Sequence, residues 1–117
     1  MVLICVDDLL FSSKIRHTAA ALGVPIVFAR SPAEILEQAR VHQPALAIFD
    51  LNSQRTEPLS SIAALKADAS MASIRTIGFV SHVQADLIVA ARSAGTDEVL
   101  ARSAFAARLP EILGSAL

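Results

Sequence analysis

The chain has 117 residues, 10 of them basic and 11 acidic, for a formal charge of −1, and 54% of it is hydrophobic. So much apolar material at so little net charge excludes a disordered chain, because burial can offset the entropy of ordering, and the length suits one domain over residues 1–117. A pI near 6.3, with five Phe and no Trp or Tyr, excludes a nucleic-acid module built on basic charge and base stacking.

Mean hydropathy is +0.55, but the apolar residues are divided among short runs, none near the roughly 20 residues that a membrane-crossing helix needs. The first run, Val2 to Val6, has strand length. It follows Met1 without the basic start and small-residue cleavage site of a signal peptide, so the chain reads as cytoplasmic. Cys5 within it is a buried core residue, with no partner at metal-ligand or disulfide spacing.

A helix follows over Leu10 to Leu22, stopped by Gly23 and by Pro25 behind it. Val24 to Ala29 is the second strand. Ser31-Pro32-Ala33-Glu34 opens the second helix with a capping box and a proline in its first turn, and His42-Gln43-Pro44 ends it. The third strand is Ala45 to Phe49 and the third helix Pro58 to Ala67. The fourth strand is Ile74 to Val80, and the fourth helix runs from Gln84 to Ala94, where Gly95 stops it. Glu98 to Ala101 and a helix over Phe105 to Leu113 complete the order. Strand and helix thus alternate five times, which predicts an α/β sandwich with a doubly wound parallel sheet and helices on both faces. A ligand site in such a sheet lies at the carboxyl ends of the strands.

The residues at those ends are Asp7 and Asp8 after the first strand, Asp50 after the third, Ser81 after the fourth and Arg102 after the fifth. Carboxylates placed together repel, so the cluster either holds a cation or has its pKa values raised. Oxygen-only donors with open positions suit Mg²⁺. Asp7 and Asp8 have a second reading as caps of the first helix, and Ser81 as a helix cap before Val83. His17 and His42 lie on helix surfaces; His82, beside Ser81, either obstructs the pocket or is incidental.

The strings "ICVDD" at 4–8, "LAIFD" at 46–50, "TIGFVS" at 76–81 and "AGTDEVLAR" at 94–102 resemble the receiver domain of two-component response regulators, along the whole chain. The resemblance implies the flavodoxin-like fold, five parallel strands in order 2-1-3-4-5 flanked by five helices. It implies that Asp50 accepts a phosphoryl group from a phosphohistidine on a sensor kinase or phosphotransfer protein. Asp7, Asp8, Asp50 and the backbone carbonyl of Asn52 would hold Mg²⁺, and Ser81 and Arg102 would contact the phosphoryl oxygens. A downstream protein would read the face made by the fourth helix, fifth strand and fifth helix, with a homodimer left open. Nucleic acid, membrane insertion and enzymatic turnover are not expected.

Four departures surround the acidic residues. Arg102-Ser103 stands where the family has Lys-Pro, and Val99 where it has the aromatic switch residue. The loop "LNSQRTEP" lacks the usual Met-Pro and Gly, and His82 replaces a small residue. Arginine is a planar fork, not a point charge, so it either meets phosphate or forms a permanent counter-ion to Asp50. These departures keep a second reading open, a phosphorylation-independent interaction module of the same fold. An Asp-nucleophile phosphatase is disfavoured, because Asn52 stands two places after Asp50 where that chemistry needs a second Asp. A flavodoxin-type cofactor is disfavoured because "DDLLF" would repel phosphate.

Overall fold

The computed structural model describes residues 1–81 and 84–117. The expectations for His82 and for a cap before Val83 lie outside the described residues. Five strands, β1 (Val2–Cys5), β2 (Ile26–Phe28), β3 (Leu46–Asp50), β4 (Arg75–Val80) and β5 (Glu98–Ala101), form one parallel sheet in the order β2-β1-β3-β4-β5. The helices are α1 (Leu9–Leu22), α2 (Pro32–His42), α3 (Pro58–Ala67), α4 (Ala85–Ser93), α5 (Arg102–Ala107) and α6 (Leu109–Gly114).

The pleat divides the core between the two faces of the sheet. Val2, Ile4 and Val6 turn with Ile48, Ile77 and Phe79 toward α1, α5 and α6, while Leu3, Cys5, Ala47 and Phe49 turn toward α2, α3 and α4. β1 and β3 are buried at every residue, whereas the edge strands β2 and β5 are half-buried along most of their length. Burial pushes the Cys5 thiol well above its ordinary pKa, so it is a core side chain and not a reactive thiol.

Local chemistry sets the ends of the helices. Asp8 caps α1 by accepting from the Phe11 N–H at 3.0 Å, and Gly23 ends it in the left-handed region at φ 70°. Ser31 caps α2 by accepting from the Glu34 N–H. The Glu34 carboxylate reaches back to the Arg30 N–H, one residue before the cap, so the expected box closes one place early.

The expected single helix over Phe105 to Leu113 is two helices, so among the described residues six and not five flank the sheet. The cause is Pro110, which has no N–H for the carbonyl of Ala106 and crowds it. The break falls at Arg108, at φ −96° and ψ 4°. The second strand is also shorter than expected, because Pro25 cannot supply a ladder donor.

Candidate functional site at the carboxyl ends of β1, β3, β4 and β5

β3 delivers Asp50 to the carboxyl edge of the sheet with only 7% of its surface exposed. One of its oxygens, Oδ1, accepts from the Asn52 N–H at 2.9 Å. Burial pushes the Asp50 carboxyl above the usual carboxylate range. The Asn52 N–H and the charge of Arg102 oppose that shift, and the charges of Asp7 and Asp8 reinforce it. The three acids therefore interact across neighbouring strand ends, as their sequence positions imply.

Asp8 is committed on both oxygens. Oδ1 caps α1 on the Phe11 N–H, and Oδ2 accepts from the Arg102 guanidinium at 3.1 Å. The Phe11 N–H, with Arg102 adding to it, holds the Asp8 carboxyl below its ordinary range against the effect of burial. Arg102 thus takes Asp8 and not Asp50 as its direct partner. Its guanidinium also lies 4.5 Å from the centroid of the Phe11 ring. Phe11 in turn packs edge-on against Phe79 and Phe105, which stack on each other at 4.7 Å.

Carboxylates alone are hard oxygen donors, the chemistry that Mg²⁺ prefers, so Asp7, Asp8 and Asp50 suit such an ion in kind. As they stand, no three His, Cys, Asp or Glu side chains among the described residues form a metal cage. Both Asp8 oxygens are already hydrogen-bonded, one of them to the Arg102 guanidinium, so a cation at Asp8 would compete with that pair.

Ser81 ends β4 half-buried, and an open cleft of about 630 Å³ lies beside it, lined by Phe11, Lys14, Ser81, Arg102 and Ser103 among others. Val99 is half-buried in β5 and packs with the α4-side core. The side chain of Asn52 has contacts that its sequence position did not suggest. Its Oδ1 accepts from the Ser81 N–H and its Nδ2 donates to Gln84 Oε1, both at 2.7 Å. No sequence pattern announces these contacts, because they join residues 29 and 32 positions apart.

By sequence the chain matches no established family model and no curated protein. By structure it resembles response regulators. A response regulator from Hahella chejuensis is 19% identical with a TM-score of 0.86, over 99% of this chain and 93% of that one. A phosphorylated cyanobacterial phytochrome response regulator is 19% identical with a TM-score of 0.80, over 97% and 88%. The receiver domain of a sensor histidine kinase from Pseudomonas aeruginosa, with magnesium coordinated in its active site cleft, is 17% identical with a TM-score of 0.83, over 98% and 94%. The chain has the receiver-domain fold. Among the described residues no helix is long and apolar enough to cross a membrane.

Proposed function

We propose that residues 1–117 form a receiver domain that accepts a phosphoryl group on Asp50 and signals by protein contact. The observation that carries this reading is the setting of Asp50, a nearly buried carboxylate at the end of a central strand, with one oxygen held by the Asn52 N–H and two acids and a guanidinium within electrostatic reach. The donor is a phosphohistidine of a kinase or phosphotransfer protein. The second oxygen of Asp50 attacks phosphorus, the P–N bond breaks, and the imidazole leaves with its electron pair.

Asp7, Asp8, Asp50 and the Asn52 carbonyl would hold Mg²⁺, which when bound neutralises the phosphoryl oxygens. A cation taking Asp8 would free Arg102, at the start of α5, to meet the same oxygens together with Ser81, which follows β4. Leu9 and Leu10, 78% and 86% exposed directly after Asp8, give the phosphodonor protein an apolar footing beside the site. On the opposite side of the signal, α4, β5 and α5 form the face for the downstream protein, and the proposed role is that of a signalling module and not of a turnover enzyme.

Incubation with Mg²⁺ and a small phosphodonor, followed by intact mass measurement, tests the reading. A single phosphoryl adduct that disappears in Asp50→Asn is expected; its absence at saturating donor rejects phosphorylation. The Arg102–Asp8 pair at 3.1 Å favours the second reading, an interaction module that works unphosphorylated with its own side chain in the cation position. Under that reading neither adduct nor Mg²⁺ binding is found.

A further inference from the structure

Asn52 is the one described residue hydrogen-bonded to Asp50, to the end of β4 and to the start of α4. Its N–H holds Asp50 Oδ1 at 2.9 Å, its Oδ1 accepts from the Ser81 N–H at 2.7 Å, and its Nδ2 donates to Gln84 Oε1 at 2.7 Å. Gln84 is the cap residue of α4 and makes no side-chain cap bond of its own, so its side chain is committed to Asn52. The Gln84 carbonyl accepts the Ile88 N–H at 3.0 Å, the first turn of the helix.

We propose that Asn52 is a positioning residue that couples the charge on Asp50 to the first turn of α4. Its two ends are unequal. The bond to Asp50 is charge-assisted, roughly twice as strong as a neutral one, and it weakens when the carboxylate becomes an ester or an acyl phosphate. The two carboxamide bonds hang on the same backbone unit. A backbone shift at Asn52 therefore moves both the Ser81 N–H and the Gln84 side chain, and α4 is released or re-seated as the state of Asp50 changes.

The signalling meaning of this link rests on Asp50 being the phosphoacceptor, but the link is testable without a phosphoryl group. Amide hydrogen exchange is measured on the full chain for wild type, Asp50→Asn, Asn52→Ala and the double variant. Loss of one such hydrogen bond is expected to speed exchange at Ser81 and Ile88 about fivefold in Asn52→Ala. Asp50→Asn is expected to speed Ile88 as well, with no further gain in the double variant. No effect of Asp50→Asn at Ile88, or effects that simply multiply, overturns the proposal.

Gln84→Ala, at an exposed position, serves if Asn52→Ala does not fold. It should speed Ile88, leave Ser81 protected, and abolish the effect of Asp50→Asn on Ile88; an effect of Asp50→Asn that persists there overturns the proposal. A parallel beryllofluoride titration followed by NMR separates the two readings. Absence of shifts around Asp50 counts against phosphoacceptor function, while the exchange cycle still decides the link.

Discussion

Asp50 is 7% exposed and lies within reach of the charges of Asp7 and Asp8, so without a cation the folded chain carries a repulsion that the unfolded chain lacks. Neutralising it as Asp50→Asn keeps the volume and removes the buried charge. Thermal unfolding without divalent ions is expected to move upward by a few degrees, about 1 kcal/mol. A lower midpoint would mean that the carboxylate is a net stabiliser through its Asn52 bond. Arg102 sits on the other side of the same balance. Its pair with Asp8 is more than a third exposed on both partners, which limits it to about 1 kcal/mol or less. Arg102→Gln should therefore tighten Mn²⁺ or Mg²⁺ binding by up to about fivefold. Lys14→Gln serves as the control, since it removes a cation from the same cleft without touching Asp8. Equal affinities for the two variants would show that Arg102 and the ion do not compete for Asp8.

Elements carry a second kind of constraint, in how the strand that bears Asp50 passes into its loop. Leu51 extends β3 by donating its N–H to the Phe79 carbonyl at 2.9 Å, and its side chain lies over Gly78 of β4. A Cβ at position 78 would stand 2.8 Å from Leu51 Cδ1 and 2.9 Å from its Cγ, too close for the side chain to yield by its tip alone. Gly78→Ala is expected to cost about 1–3 kcal/mol in urea unfolding and, under the proposed function, to lower phosphoryl uptake with it, because Leu51 is bonded between Asp50 and Asn52. Stability unchanged within error would show that the loop absorbs the methyl group. This contact was not legible in the sequence, whereas the alternation of elements was. Periodicity and the stops at Gly23, Pro44 and Gly95 are local signals, and they carried every strand and four of the helices to within two residues at each end. Pro110 was visible too, but the helical spacing of Phe105, Leu109 and Ile112 is the same whether one helix or two present it, so only the proline's missing donor decides the break. For the site, the strand ends gave the positions of Asp8, Asp50 and Arg102. The choice of Asp8 as partner for Arg102 depends on the three-dimensional approach of residues 94 positions apart.

Across the whole molecule the two ends of the sheet are built to opposite purposes. The carboxyl end gathers the acids whose mutual repulsion a cation would relieve. At the amino end of β4 and β5 the acids are engaged by partners: Glu98 pairs with Arg75 and Arg108, and Asp97 Oδ2 accepts from the Thr76 N–H at 2.8 Å, from the Thr76 hydroxyl at 3.1 Å and from Lys66 at 3.0 Å. Lys66 also donates to the carbonyls of Ala72 and Ile74, so α3, β4 and β5 are tied at one point. Burial would push the Asp97 carboxyl up, but the bonds from Thr76 and Lys66 outweigh it and hold the group below its ordinary value. A carboxyl lowered by folding stabilises above its unfolded pKa and loses that contribution as pH falls through the folded one. The carboxylate is 46% exposed on its side chain, so screening limits its contribution to about 1 kcal/mol. Asp97→Asn should therefore be less stable than wild type at neutral pH, and the gap should close as the pH drops below about 4. Because Asp50 and Asp97 share no partner and lie at opposite ends of the sheet, the gain from Asp50→Asn and the loss from Asp97→Asn should add in the double variant. Urea unfolding of the four proteins at neutral and acid pH measures both effects. A gap that persists in acid would assign the loss to packing, and a non-additive double variant would show that the carboxyl and amino ends of the sheet are mechanically coupled through β4.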